Sequence, residues 1–312
     1  MPISAGMGIE DDGKGVLLSV DFEDWHQLVR RRAGVVDWEP GGPALGRQTD
    51  RLLTLFFELG VRATFFILGM TARAHPALVE RIARAGHEIA CHGDAHRLVS
   101  TQTPEEFAAD LKQARSTIEG LTGQSPIGYR APAFSITRQT PWAYEVLGRA
   151  GFAYDASQHD SPRIRDRAVT SAAPHPIPLE TGVLWEFPVA VWRPRGIRFP
   201  VGGASYWGLL PTSLILGGLQ AAGPWPGLYV HPYEVDPDPL RPLLPASARA
   251  GQRARAGLRA AQRNFARRRA TDVLRAIAGR HNLIPYGEAH AQLSRSAPAG
   301  QGPVSQQGPA VR

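Results

Sequence analysis

Short runs of β-branched and aliphatic residues alternate along this chain with stretches of helical periodicity, and that alternation constrains the fold more than any other feature. Val16-Leu17-Leu18-Ser19-Val20 opens the series and breaks off into Asp21, Phe22, Glu23 and Asp24, as a buried strand ending at a polar rim would. Ala63–Leu68, His87–Cys91, Ile127–Tyr129, Phe152–Tyr154, Leu184–Val189 and Leu228–Val230 continue it. Between them lie helical patterns with recognisable ends: Leu52 to Leu59 stopping at Gly60, a helix opened by Pro76 and ended by Gly86, and Pro141 to Arg149 closed by Gly151. A capping box, Thr103-Pro104-Glu105-Glu106, starts a further helix through Phe107, Leu111, Ala114 and Ile118. Strands that alternate with helices pair in parallel, and about seven repeats suit a closed or nearly closed α/β barrel, a distorted (β/α)7-type. In barrels of this kind functional residues gather at the C-terminal ends of the strands.

The totals agree with a folded enzyme-sized chain. Its 312 residues are 43% hydrophobic and 20% charged, near the globular average, with 27 prolines and 33 glycines for turns. The formal charge of +7 comes almost wholly from arginine, Lys14 and Lys112 being the only lysines, and much of it lies between Arg241 and Arg280. Such a bias is read as composition and no nucleic acid is expected, while contact with an anionic membrane surface stays open. A single cysteine, Cys91, excludes an intramolecular disulfide framework and a multi-cysteine metal site, so any metal must be held by histidine and carboxylate. Met1 to Gly15 is short, polar and acidic, unlike a signal peptide, and no apolar stretch reaches the roughly 18 residues of a membrane span, so a cytoplasmic location is expected. The divisions expected are a flexible start (1–15), a barrel (16–240), a helical extension packed on it (241–295) and a disordered tail (296–312). The arginine-rich helical pattern from Arg249 to His281 is read as a solvated face.

Four elements at strand ends could do chemistry. His92-Gly93-Asp94-Ala95-His96 sets two histidines four apart; if the backbone turns helically there, both rings share a face and can share a cation, and otherwise they are turn histidines bonded to backbone or water. Asp21, Glu23 and Asp24 repel one another when buried unless a cation or proton neutralises one, which suits a third metal ligand beside a general base; the cluster could equally cap a helix starting near Trp25. Arg130, in Tyr129-Arg130-Ala131-Pro132, could orient a carboxylate or sit on the surface. His231 ends the last strand as a proton donor or a core histidine.

In this order the elements resemble the polysaccharide deacetylase family with the NodB homology domain, carbohydrate esterase family 4, over roughly residues 16–235. Ala63-Thr-Phe-Phe-Ile-Leu-Gly69 and the run from His75 to His92 resemble that family's second strand and following helix. Ser19-Val-Asp-Phe-Glu-Asp-Trp25, Gly128-Tyr-Arg-Ala-Pro-Ala-Phe-Ser-Ile-Thr137 and Val230-His-Pro-Tyr-Glu-Val-Asp-Pro237 are most similar to a subgroup associated with exosortase and exopolysaccharide loci, which carries a C-terminal extension. The resemblance implies a metal-dependent hydrolase that removes N-acetyl groups from amino sugars of a polysaccharide or its lipid-linked precursor, with a divalent ion such as Zn²⁺. It implies Asp21 as base, His92 and His96 with Glu23 or Asp24 as metal ligands, Arg130 as orienter of the base and His231 as acid; Asp155 is a candidate to hold His231 by a hydrogen bond. A shifted frame, Glu23 as base and Asp24 as ligand, stays open because the family's two acids are usually adjacent. The oxyanion would be met by the metal or by backbone N–H near Tyr129. Trp25, Tyr129, Pro132 and Phe134 are the expected sugar contacts, with Val201 to Pro211 as a loop that shapes the substrate. The alternatives are a barrel hydrolase acting on another amide, such as a cyclic ureide, and an inactive polysaccharide-binding scaffold.

Overall fold

The computed structural model describes residues 15–161 and 171–296. The expected flexible start and disordered tail therefore lie outside the described residues, apart from Gly15 and Ser296.

The chain runs β1 (Val16–Phe22), α1 (Trp25–Ala33), α2 (Leu45–Leu59), β2 (Thr64–Ile67), α3 (Gly69–Ala74), α4 (Pro76–Arg84), β3 (Glu88–Cys91), α5 (Pro104–Thr122), β4 (Gly128–Tyr129), α6 (Trp142–Arg149) and β5 (Tyr154–Asp155). It continues through β6 (His175–Leu179), β7 (Gly182–Glu186), α7 (Ala204–Trp207), α8 (Thr212–Ala221), β8 (Gly227–Val230), α9 (Ala250–Arg267), α10 (Ala270–Ala278), β9 (Leu283–Ile284) and α11 (Tyr286–Ser296). The sheet order is β6-β7-β5-β4-β3-β2-β1-β8, with β9 also against β1, and every pairing is parallel except the β6–β7 hairpin. Just past β7, Val189 forms a parallel bridge to Gly227 of β8, and Ala190 N–H donates to the Gly227 carbonyl at 2.9 Å. That contact joins the two ends of the parallel series, so the sheet curls into a nearly closed α/β barrel, as the alternation predicts.

β1 is buried along its whole length, which is why an unbroken apolar run rather than a half-polar alternation encodes it. Its two faces nevertheless differ. Leu18, Val20 and Phe22 pack outward with helix residues such as Leu52, Phe56 and Ile82, whereas Leu17 joins Phe66, Ala90, Phe187 and Tyr286 in a second cluster inside the curl. Strand side chains alternate with period two, so Ser19 and Asp21 share the inner face with Leu17.

The helix ends follow their capping chemistry. Thr103 and Glu106 form the reciprocal capping box of α5, and Gly34, Gly60 and Gly123 close α1, α2 and α5 in left-handed conformation. The helical pattern expected from Arg249 to His281 is two helices, α9 and α10, broken at Arg268 and Arg269. The C-terminal segment goes beyond an outer layer: β9 pairs with Val16 and Leu17 of β1, and the following Tyr286 is fully buried in the inner cluster.

Candidate active site

The ends of β1, β3, β4 and β8 meet at one rim. Glu23 Oε1 lies 2.8 Å from His92 Nε2 and 2.9 Å from His96 Nε2, all three side chains buried, and one donor atom of each falls within 4.8 Å of the others. The geometry that brings the histidines together is not the expected helical turn. Residues 92–96 form an irregular loop in which Gly93 (φ 80°) and His96 (φ 52°) are both left-handed. A Cβ on Gly93 would also stand 2.9 Å from Asp110 Oδ2, so glycine is required there twice over. Asp110 Oδ2 accepts from Asp94 N–H at 2.8 Å, and Arg31 of α1 donates to the His96 carbonyl, with its Nη1 at 3.3 Å from His96 Nδ1; these bonds hold the unusual backbone.

His92 Nδ1 meets the Arg130 carbonyl at 2.7 Å. A carbonyl only accepts, so this nitrogen carries a proton and Nε2 faces the cluster, the orientation that in a neutral ring would offer a lone pair to a bound ion. Two imidazole nitrogens and one carboxylate oxygen converging in a buried site make a donor set that suits a divalent ion of the zinc type. Burial opposes the charge on Glu23, but His96 and His92 outweigh it and hold its carboxyl well below the usual range. Burial likewise disfavours charged His92, and the bond to Glu23 with the nearby Asp21 and Glu23 charges turns the shift upward.

Of the three acids, Glu23 alone stands with the histidines. Asp24 is the N-cap of α1: its Oδ1 accepts from His26 N–H at 2.7 Å and its Oδ2 from Gly42 N–H at 2.5 Å. The helix-cap alternative thus describes Asp24, and neither Asp24 as metal carboxylate nor the shifted frame fits this geometry. Asp21, on the inner face of β1, accepts from Arg130 Nη1 at 2.7 Å. Arg130 is fully buried and also donates to Ser19 Oγ at 2.7 Å, to the Ala156 carbonyl at 3.0 Å and to Tyr286 Oη at 3.0 Å. Burial penalises its charge, yet Asp21 and Tyr286 more than compensate and raise its pKa.

His231 Nε2 lies 3.9 Å from Glu23 Oε2. Its other nitrogen, Nδ1, meets Glu234 Oε2 at 3.1 Å, and the same oxygen accepts from His231 N–H at 2.9 Å. Burial works against protonation of the ring, but Glu234 outweighs it and the His231 pKa is raised; the buried Glu234 carboxyl is correspondingly lowered by His231. Glu234, not Asp155, therefore holds His231. Asp155 bonds Ser157 Oγ at 2.6 Å and shares its burial with Glu186, whose carboxyl is pushed well up by burial and by the Asp155 charge. The signal for Glu234 was present in the sequence: His231-Pro-Tyr-Glu234 has the spacing of a capping box. Tyr286 carried no such signal, since it lies 156 residues from Arg130.

Asp21, Glu23, His96 and His231 open onto a cavity of about 400 Å³. Of the four expected sugar contacts only Phe134 lines it. Trp25 and Tyr129 are buried in the core, beside Tyr233 and Phe107 respectively, and Pro132 is buried next to Gly93. From the expected shaping loop, Ser205 and Tyr206 reach the cavity wall. The backbone donors expected near Tyr129 are engaged elsewhere: Arg130 N–H bonds the Cys91 carbonyl at 3.0 Å, Ala131 N–H bonds Ser157 Oγ at 2.8 Å, and Pro132 has none.

Residues 39–152 match the polysaccharide deacetylase family. That segment contains His92, His96 and Arg130, while Asp21 and Glu23 precede it. A second match, to a domain of unknown function (DUF3473), covers residues 158–271 and contains His231 and Glu234. Among curated relatives, peptidoglycan deacetylase-like protein FGM2 of Gibberella zeae is 31% identical over 148 residues, 46% of this chain and 43% of that protein. Peptidoglycan deacetylase of Helicobacter pylori is 34% identical over 107 residues, 34% of this chain and 36% of that protein. The chain thus spans less than half the length of these relatives. Among solved structures, a Mycobacterium smegmatis protein assigned as a polysaccharide deacetylase superposes with a TM-score of 0.57 at 21% identity, covering 98% of this chain and 99% of that one. Puue allantoinase superposes with a TM-score of 0.58 at 16% identity, covering 93% and 94%. These likenesses establish the fold.

Proposed function

We propose that the chain is a metal-dependent carbohydrate N-deacetylase, which hydrolyses the N-acetyl amide of an amino sugar in a polysaccharide or its precursor and releases acetate. The observation that carries this reading is the buried convergence of Glu23, His92 and His96 beside two oriented proton-transfer groups, Asp21 with Arg130 and His231 with Glu234. Relatives named peptidoglycan and chitooligosaccharide deacetylases support the substrate class. The exosortase-associated subgroup remains part of the proposal, supported by the motif likeness and by a helical segment, 241–295, that packs on the barrel.

Glu23, His92 and His96 would hold a divalent ion, with Zn²⁺ the best fit to two nitrogens and one oxygen. Bound there, such an ion polarises the amide carbonyl, lowers the pKa of a water and meets the developing oxyanion. Asp21 takes the proton of the attacking water. Arg130 keeps that carboxylate ionised and aimed, because its planar fork also anchors on Ser19, Ala156 and Tyr286. His231, protonated through its bond to Glu234, donates from Nε2 to the departing amine. Phe134 and Tyr206 offer flat faces to the sugar.

The test is acetate release from N-acetylhexosamine oligomers, with and without a chelator, on wild type and His92→Ala. Turnover that is lost with chelator, restored by added zinc and absent in the variant is expected; chelator-insensitive turnover would sink the metal reading, and oligosaccharide binding without any acetate would favour the scaffold.

A further inference from the structure

The outer face of α9 joins apolar side chains to arginines. From Pro239 to Thr271 the chain carries nine arginines and neither aspartate nor glutamate. Within that run α9 buries Ala256, Ala260, Ala266 and Arg267 and leaves Ala254, Leu258, Ala261 and Phe265 outside, at spacings of four, three and four, so these four form one seam along its exposed side. Leu258 is 62% exposed and Phe265 49%; Leu209, 51% exposed on the loop between α7 and α8, lines the same groove of about 680 Å³. Exposed apolar side chains are ordinary when they stand singly, but three gathered round one groove make a patch of the kind that marks an interaction surface.

Arginine borders the seam along one edge and at its end. Arg255, Arg259 and Arg263, four residues apart, form a ridge that runs into the wall of the catalytic cavity, where Arg263 donates to Ser205 Oγ beside Glu234. Arg268 stacks on Phe265, its Cζ 4.0 Å from the ring centroid. Arg255 and Arg268 are exposed and form no ion pair among the described residues, and the exposed Arg253 bonds the uncharged carbonyls of Pro245, Ala246 and Ala248 at 3.1 Å. The face is also fixed in place. Gln252 Nε2 donates to the Gly34 carbonyl at 2.7 Å, Gly208 N–H to the Ala266 carbonyl at 2.8 Å, and Arg267 Nη1 to the Tyr233 carbonyl at 2.7 Å, so α9 is fastened to α1, to α7 and to the loop after β8. A bilayer with anionic headgroups matches such a face, its acyl boundary receiving the leucines and Phe265 and its phosphates the arginines. A second copy of the chain does not, because two of these faces would set arginine against arginine.

We infer that the outer face of α9, with Leu209, Leu258 and Phe265 at its centre and Arg255 and Arg268 at its border, docks the protein on an anionic lipid bilayer. The groove and the catalytic cavity share Arg32, Ser205, Arg259 and Arg263 in their walls, so docking sets the cavity beside the headgroups. An amino sugar carried on a lipid then reaches the site from the membrane, a consequence that rests on the deacetylase reading.

The probes are phosphatidylcholine vesicles with and without phosphatidylglycerol, mixed with the full chain and followed by co-sedimentation. Tighter binding to the anionic vesicles is expected, weakening as salt rises. Arg255→Gln with Arg268→Gln should reduce it by about tenfold or more, since an arginine near such a surface contributes about fivefold. Leu258→Ala with Phe265→Ala should reduce it by a similar factor. All four side chains are exposed and stand apart from the catalytic groups, so thermal unfolding and acetate release from soluble oligomers should be unchanged in both variants. Leu258→Cys labelled with an environment-sensitive dye should emit further to the blue when anionic vesicles are added, Cys91 being buried and out of reach of the label. No binding to either vesicle, or pairing of two chains through this face, overturns the inference. So does binding that the alanine pair leaves intact and that leaves the dye unshifted, the sign of adsorption by charge alone. The two readings fail separately: acetate release without vesicle binding refutes docking and keeps the deacetylase, whereas vesicle binding with no acetate refutes the deacetylase and keeps docking.

Discussion

Arg130 Nη1 and Asp21 Oδ1 meet at 2.7 Å with both residues buried, 109 positions apart in the chain. The pair is laid across the curl, from the end of β4 to the end of β1, and is anchored by Tyr286 from the C-terminal segment. Removing the guanidinium leaves a buried carboxylate uncompensated, so Arg130→Ala should lower stability by about 3–5 kcal/mol. Equilibrium denaturation measures the loss. Tyr286→Phe, which keeps the ring and removes one acceptor, should cost only about 1 kcal/mol.

Glu234→Gln tests the partner of His231. The carboxylate raises the His231 pKa, so the amide variant lowers it. A general acid must be protonated, and activity fails as pH rises through its pKa; the alkaline limb of the pH–rate profile should therefore move to lower pH. At neutral pH kcat should fall by about 10- to 100-fold, part of the range that general acids supply, with KM little changed. An unmoved alkaline limb would reject this role.

His87 sits between Phe56 and Phe65 and accepts a bond from Ala63 N–H at 3.2 Å. Burial, aided by Arg62, depresses its pKa to about 4. The folded state thus favours the neutral ring: its contribution is complete above the ordinary histidine pKa of about 6.5 and is lost as pH falls toward 4. Thermal unfolding of wild type and His87→Phe across that window should show a shallower acid decline in the variant.

Gly42 is where α1 meets the loop before α2. A Cβ there would lie 1.9 Å from His26 Cδ2 and 2.8 Å from its Cβ, so the whole ring must move and the bond from Gly42 to Asp24 with it. Gly42→Ala should cost about 1–3 kcal/mol by overpacking. Because Asp24 follows Glu23 directly, the affinity for zinc, measured by competition with a chromophoric chelator, should fall as well.

The sequence by itself determined the barrel and most of the rim. Strand runs that end in acids, in His92 and in Arg130 place those residues together, because parallel strands carry their C-terminal ends to one side. Only the tertiary structure sets Glu23, and not Asp24, beside the histidines, since a local cap and a buried carboxylate–histidine cluster use the same residue type, and the outcome depends on where Gly42 and His92 arrive. The histidine pair meets through left-handed backbone at Gly93 and His96, a conformation fixed by contacts with Asp110 and Arg31 rather than by spacing. Tyr286 and the arginine ridge of α9 join the site by packing over long sequence separations. A solvated helix face and a partly buried one have the same local pattern, and what α9 packs against distinguishes them.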